Sequence, residues 1–337
     1  MRILLVKLSS LGDVVHTLPV VQDILAAMPH AQIDWVVEKA FAPLLMQVHG
    51  LGRIIPCELR RWRKSFWTAQ TRRGWRAFKT DLQTDRYDAV IDLQGLTKSA
   101  VVSRLARLTA QGKRYAMANQ TEGSGYEVPT RWAADVAIDM PPHSHAVARG
   151  RLLASQALGY GAAVAKTTPD YGVKVPVAQS NRARAAPENI AFIHGTSRAD
   201  KEWPMQHWVD LGQRMTARGH RVLLVHGSAK ELGTSQAIAA QLGPDAVLLP
   251  LLSLDALVQQ LGQCAGAIGV DSGVSHIAVA LGLPHVQIYN FDTAWRTGPL
   301  GAFHQVSVFA QGSPSVDAIW QAWQAWQAWQ LCESAAP

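Results

Sequence analysis

The 337-residue sequence has only three cysteines, Cys57, Cys264 and Cys332, far apart in the chain. None forms a C-x-x-C pair, so neither a finger-type zinc site nor a disulfide framework is indicated; the sparse, odd count points to a reducing compartment. No run approaches the ~18 apolar residues of a membrane span, and the apolar start Ile3–Val6 is too short for a signal peptide. The expectation is a soluble protein, or one that rests on a membrane surface from the cytoplasmic side. No G-x-G-x-x-G occurs, and the turn after the first apolar run offers Gly12 alone, which argues against a dinucleotide oxidoreductase. Acids are also short: 25 Asp and Glu against 32 Lys and Arg give a net charge of +7 and a pI near 9.5. Such an excess calls for an anionic partner, whether nucleic acid, a phosphorylated lipid or a nucleotide.

What is present suits a compact fold: 48% hydrophobic and 17% charged residues. The length exceeds the roughly 250–300 residues at which one core stops growing, so two domains are expected. In the first half, strands are predicted at Ile3–Val6, Ile33–Val37, Arg53–Pro56 and Ala89–Asp92, with a weaker one at Lys113–Met117. Between them lie helical patterns such as Val14–Met28. The pattern restarts with strands at Ile190–His194, Val222–His226, Val247–Leu249, Ala267–Val270 and His285–Tyr289, separated by helices near 205–218, 230–241, 254–263 and 273–281. This βαβα alternation predicts parallel sheets covered by helices. Each half reads as a Rossmann-like domain, 1–175 and 188–314, divided at the polar stretch Pro176–Glu188. A cleft between two such halves is a natural ligand site. Residues 315–337 form a Trp-rich helix and tail, in which Trp320, Trp323, Trp326 and Trp329 fan across one side. They either pack on the domains or offer an aromatic face to lipid headgroups.

Four stretches carry candidate chemistry. In "LLVKLSSLGDVVHTLPV", Asp13 follows the first strand, where open α/β sheets hold ligands; it can cap a helix, bind a metal or take a proton. In "HGTSRADKEWP", Thr196 and Ser197 supply hydroxyls while Arg198 and Lys201 supply cations, which suits a diphosphate or a solvated helix-entry loop. In "GVDSGVSHIAVALG", Asp271, Ser272 and Gly273 open a helix whose free N–H groups attract phosphate. Asp271 would repel phosphate and is placed on sugar hydroxyls, the alternative being a plain N-cap; His276 either touches the diphosphate or is a buried, satisfied histidine. Glu231 sits roughly where Rossmann-type folds place an acid on ribose hydroxyls, or is a surface helix acid. From Arg60 to Lys79 lie eight of the 32 cations and no acid, interleaved with Trp62, Trp67 and Trp75. That composition fits nucleic acid, an anionic lipid or sugar, or a solvated face.

Six ordered blocks, "VKLSSLGDVVHTLPV", "DWVVE", "RRWRK", "YDAVIDLQGLTKSA", "HGTSRADKEWP" and "VDSGVSHIAVALG", together resemble glycosyltransferase family 9, the heptosyltransferases of lipopolysaccharide core synthesis. The resemblance implies an α/β GT-B fold: two Rossmann-like domains facing across a cleft, with the C-terminal helix returning to the first. It implies transfer, with inversion, of L-glycero-D-manno-heptose from ADP-heptose to the first Kdo of Kdo2-lipid A, at the cytoplasmic face of the inner membrane of Gram-negative bacteria. Asp13 is then the general base, with Gly12 on the acceptor side and Ser10 beside the base, positioning the acceptor or the donor phosphates. Lys201 stabilises the departing ADP together with Thr196, Ser197 and the helix start at Ser272 and Gly273, with His276 on the donor. Glu231 binds ribose, Leu252 lines the adenine pocket and Asp271 faces the heptose. Arg60, Arg61, Arg63 and Lys64 bind the anionic acceptor and the membrane surface. No D-x-D occurs, so no metal or other cofactor is expected; nor is a nucleic-acid partner, and a monomer is the expectation. Two segments depart from the family: "NQTEGSGYEVPTRW" (119–132), where Arg131 either replaces the basic acceptor segment or does not, and "YNFDTAWRTGP", which replaces a "YGPTDP"-like turn and leaves Asp292 and Thr293 without an assigned role. The alternatives are a sibling enzyme adding the second heptose and a GT-B-fold sugar-nucleotide epimerase.

Overall fold

The computed structural model describes residues 1–65, 67–161, 167–174 and 188–334, with 328–334 described by backbone alone. The predicted boundary stretch, except Glu188, lies outside these residues, as do the side chains of Trp329 and Cys332. The chain divides into two compact units, Met1–Lys174 and Val175–Pro337.

The first unit is built on strands β1 (Arg2–Val6), β2 (Gln32–Glu38), β3 (Leu51–Cys57), β4 (Arg86–Asp92), β5 (Arg107–Met117) and β6 (Val136–Ile138), in the spatial order β3-β2-β1-β4-β5-β6. The second uses β7 (Asn189–Ile193), β8 (Arg221–Leu224), β9 (Ala246–Leu248), β10 (Gly266–Val270), β11 (His285–Tyr289) and β12 (Gln305–Phe309), ordered β12-β11-β10-β7-β8-β9. Every pairing is parallel. Read from its own first strand, each sheet has the doubly wound order 3-2-1-4-5-6, which places a ligand crevice where the winding reverses. That point lies between β1 and β4 in one unit and between β7 and β10 in the other.

The central strands are apolar on both faces because helices cover both. Ile3, Leu4, Leu5 and Val6 are fully buried, as are Ala267, Ile268 and Val270. Two strands escape the sequence reading, β6 and β12. Each is an edge strand, and β12 exposes alternate residues, so neither shows a continuous apolar run.

The helix Val316–Ser334, expected to run back to the first domain, has its described anchor in the second unit. Ile319 and Trp323 are buried in the core with Trp208 and Ile268, and Trp320 and Trp326 pack partly against it. Arg218 stacks over Trp320 at 5.2 Å. Trp323 is thus a core residue, Trp320 and Trp326 lie partly against the same core, and the described part of the helix packs on the second unit.

Candidate active site

In the first unit, β1 ends at Val6 and a helix runs from Leu11 to Ala27. Expected to begin near Val14, this helix starts three residues sooner, because Ser10 and Asp13 form a capping box. The Ser10 N–H and hydroxyl both donate to Asp13 Oδ2, at 2.9 and 2.7 Å. Asp13 is therefore inside the first turn, not before it, and Gly12 lies in the same turn. Oδ1 faces the buried Lys7 ammonium at 3.8 Å, and 39% of the Asp13 side chain stays open. Burial alone would raise the Asp13 pKa. The Lys7 charge and the two Ser10 hydrogen bonds outweigh it and hold the carboxyl below its ordinary value. Burial in turn lowers the Lys7 pKa, opposed by Asp13.

The floor is stitched from the loops after β1 and β4. Lys7 Nζ donates to the Leu93 carbonyl at 2.9 Å. Gln94 Oε1 accepts the N–H groups of Leu8 and Ser9 at 3.0 and 3.1 Å. Asp92, at the end of β4, is buried and accepts the N–H groups of Gln94 and Gly95 and the Ser99 hydroxyl. Burial pushes its carboxyl up to about 6 despite those three bonds. Lys98 donates to Ser9 Oγ at 2.9 Å. A hollow of about 280 Å³, counting its open mouth, is lined by Lys7, Asp13, His16, Thr17 and Arg149, among others. Arg149 Nη1 donates to Thr121 Oγ1 at 2.8 Å, which ties the segment 119–126 to the hollow. Arg131 is exposed on the short helix Pro129–Ala133, and among the described residues no bond ties it to the hollow.

Lys7, His16, Lys98 and Arg149 are the residues that motif reading passed over. Lys7 and His16 lie in the same quoted block as Asp13 and were legible as polar groups beside it, whereas Lys98, in the block Tyr87–Ala100, is brought to Ser9 only by the pairing of β1 with β4. Arg149 had no sequence signal: it arrives through packing of the helix Ala146–Leu158 on Leu11–Ala27.

The helix Leu59–Lys64 presents Arg60, Arg61, Arg63 and Lys64 outward and buries Trp62 beneath them. Trp62 packs against Trp75 at 5.7 Å and Phe78 at 5.6 Å. Two of the three interleaved tryptophans are thus packing residues, and only Trp67, 85% exposed, faces outward. A row of stacking platforms for nucleic acid is not formed. Arg61 pairs with Glu58 at 3.0 Å, and the Arg60 N–H donates to Glu38 Oε1 at 3.2 Å.

In the second unit the reversal point gathers most of the donor-side residues. Lys201, in the single turn Ala199–Lys201, donates to Asp271 Oδ2 at 2.5 Å. Nε2 of His276 lies 3.3 Å from Asp271 Oδ1, and the Thr297 hydroxyl is 3.4 Å from the same oxygen. Thr196 Oγ1 donates to the Asp271 carbonyl at 3.3 Å. The sequence places Asp271 on sugar hydroxyls; here its side chain is only 5% exposed and both oxygens are engaged by protein. Burial would raise its pKa, but the His276 and Lys201 contacts hold the carboxyl far below the usual range. Ser272 caps the helix Gly273–Ala280 by accepting the Ser275 N–H at 3.4 Å, so the first-turn N–H groups that precede the intrahelical ladder are those of Gly273 and Val274.

Glu231 sits in the first turn of the helix Ala229–Leu242 and accepts the Gly227 N–H at 2.6 Å. Its carboxylate packs so closely on Gly195 that a Cβ there would lie 2.6 Å from it. Glu231 therefore borders the loop that carries Thr196, and the exposed Ser197 lies on that loop too. Leu252, half-buried, lies in the loop between β9 and the helix Leu254–Gly262. Arg198 is exposed and pairs with Asp200. Thr293 precedes the short helix Ala294–Thr297, and its hydroxyl turns back to the Phe291 carbonyl.

Residues 75–318 match the family glycosyltransferase family 9 (heptosyltransferase). The lipopolysaccharide heptosyltransferase 1 of Pseudomonas aeruginosa is 38% identical over 309 residues, covering 89% of this chain and 82% of that protein. The protein of the same name from Escherichia coli K12 is 36% identical, over 86% of this chain and 88% of its own. Among solved structures, E. coli heptosyltransferase WaaC with ADP superposes with a TM-score of 0.84 at 32% identity, covering 96% of this chain and 99% of that one. E. coli ADP-heptose lipopolysaccharide heptosyltransferase II shares the fold, with a TM-score of 0.76 at 21% identity. A match through most of the chain, on a fold with ligand crevices at both reversal points, has one reading: the chain belongs to glycosyltransferase family 9, the heptosyltransferases.

Proposed function

We propose that the chain moves L-glycero-D-manno-heptose from ADP-heptose to the first Kdo of Kdo2-lipid A, with inversion at the anomeric carbon. Support comes from relatives named lipopolysaccharide heptosyltransferase 1 at 36–38% identity, against 25% for the E. coli protein named heptosyltransferase 2. WaaC has been solved with ADP and with ADP-2-deoxy-2-fluoro heptose, and superposes on this chain. The observation that carries the reading is Asp13: an ionised, partly open carboxylate held over a hollow lined with cations.

In this mechanism Asp13 Oδ1 accepts the proton of the acceptor hydroxyl while the hydroxyl oxygen attacks the anomeric carbon opposite ADP. A carboxylate of depressed pKa is a weak base, so proton transfer belongs late in the transition state, when the attacking oxygen has become acidic. Arg149 and Lys7 set a positive field in the hollow that suits an acidic sugar. Lys201 spends one of its three N–H donors on Asp271, leaving two for the departing diphosphate. Thr196, Ser197 and the N–H groups at Gly273 complete that cradle. Glu231 takes ribose hydroxyls and Leu252 the adenine. Asp271 serves chiefly to hold Lys201 and His276. Arg60, Arg61, Arg63 and Lys64 meet acceptor phosphates and the anionic cytoplasmic face of the inner membrane; among the described residues no helix is long and apolar enough to cross a membrane.

The test is incubation with ADP-heptose and Kdo2-lipid A in the presence of EDTA, following ADP release and the mass of the lipid product. Release of ADP with one added heptose supports the reading. Transfer only to an acceptor that already carries a heptose would reassign the chain to the second step.

A further inference from the structure

We infer that Asn290 is a positioning residue for Lys201: its side-chain amide clamps the turn that aims the lysine at Asp271. The inference rests on the proposed meeting of Lys201 with the donor diphosphate. Asn290 directly follows β11, an internal strand, and is 6% exposed. Its Nδ2 donates to the Asp200 carbonyl at 2.9 Å and to the Glu202 carbonyl at 3.0 Å, the two carbonyls that flank Lys201. Both N–H groups of the amide are thereby used, one on each side of the lysine. The amide orientation is fixed by chemistry, since a flipped group would set its oxygen against two carbonyl oxygens.

The turn needs such a clamp. Ala199–Lys201 is one turn of 3-10 helix, and an isolated turn is not stable by itself. Besides the Lys201–Asp271 pair itself, its ion pairs among the described residues are the exposed Arg198–Asp200 and Lys230–Glu202, of the kind that holds weakly. Asn290 is itself anchored, its carbonyl accepting the Gly312 N–H at 3.1 Å. The same segment supports the partner carboxylate. The Tyr289 hydroxyl is 3.2 Å from the Thr297 hydroxyl, which reaches Asp271 Oδ1. One stretch, Tyr289–Thr297, thus braces both members of the Lys201–Asp271 pair. This is the stretch in which "YNFDTAWRTGP" stands in place of the family's "YGPTDP"-like turn.

A lysine has four rotatable bonds beyond its Cα, so its reach is set by where the backbone holds it. A small displacement of a group that stabilises a leaving anion costs on the order of 10- to 100-fold in rate. The experiment compares Asn290→Ala, which removes both bonds, with Asn290→Asp, which keeps the volume but turns an oxygen toward the two carbonyls. Acetylation of the intact protein followed by peptide mass spectrometry reads the hold on Lys201 without reference to activity. Several-fold faster labelling of Lys201 in both variants is expected, and unchanged labelling overturns the inference. Should Asn290→Ala fail to fold, as melting would show, Asn290→Asp decides alone.

With ADP-heptose as donor, Asn290→Ala is expected to lower kcat on the order of 10-fold or more, with a smaller change in KM, and to have no further effect in a Lys201→Ala background. An equal loss in that background would show a structural role only and overturn the inference. If Lys201→Ala by itself leaves turnover intact, the donor reading fails, and the labelling rates still decide whether Asn290 holds the turn.

Discussion

A carboxylate that accepts a proton must be charged before the substrate arrives, and Asp13 is held in that form from three sides. Ser10 donates twice to one oxygen, Lys7 faces the other, and the first-turn position places it at the positive end of the helix. If Asp13 is the base, as proposed, Asp13→Asn keeps the shape and removes it, so turnover should fall by about 10²- to 10⁴-fold while ADP affinity stays unchanged by titration calorimetry. Because the folded pKa lies below the ordinary value, the charged form is favoured by the fold. The acid limb of kcat should fall below the ordinary aspartate range, and Lys7→Met should move it to higher pH. Asp92 has the opposite sign. Its folded pKa of about 6 exceeds the ordinary value, so folding favours the protonated form. Its ionisation should cost stability as pH rises from about 4 through 6, on the order of 2–3 kcal/mol. Asp92→Asn should flatten that part of a melting-temperature-against-pH curve. The S-x-x-D spacing of the capping box was present in the sequence, so the early helix start was legible there. The crossing of Lys7 to Leu93 and of Gln94 to Leu8 and Ser9 was not, since each joins residues 85 or 86 positions apart.

At the scale of elements, a cationic helix as short as Leu59–Lys64 stays formed because Trp62 fastens it to the core. Trp62→Ala should cost about 3–5 kcal/mol in chemical denaturation, whereas Trp67→Ala, at a site 85% exposed, should stay within about 0.5 kcal/mol. Composition did not separate the two tryptophans, because the same residue type anchors one helix and faces outward beside it. The Trp repeat near the C-terminus teaches the same point. Spacing showed a fan of rings, and only the sheet behind Trp323 decided that this one is core while Trp320 and Trp326 are half-buried beside it. The central strands were legible as apolar runs, while β6 and β12 were not, because an edge strand covered on one side carries a weaker pattern.

For the whole molecule, two sheets of the same winding put one reversal point under Asp13 and another under Lys201 and Asp271. The first unit also carries the cations of Leu59–Lys64 on its surface. Replacing Arg60, Arg63 and Lys64 by Gln should weaken binding to vesicles containing anionic lipid by about 3 kcal/mol, at about 1 kcal/mol per cation, and raise acceptor KM while sparing that of ADP-heptose. Sedimentation with vesicles at two salt concentrations checks the first, and binding should fall with salt. Turnover should be the same with and without EDTA if, as proposed, the Lys201 ammonium carries the charge that a D-x-D-bound metal would otherwise supply.

By itself the sequence determined the alternation of strands and helices, the restart halfway along, the order of the family's blocks and the carboxylate after the first strand. All of these are local, written in patterns of a few residues. The tertiary structure alone decided that Asp271 is occupied by Lys201 and His276, that Arg149 lines the Asp13 hollow, that Trp62 is buried while Trp67 is not, and that Asn290 holds the turn of Lys201. Each of these depends on which distant segments the parallel sheet brings side by side, and spacing along the chain carries no record of that.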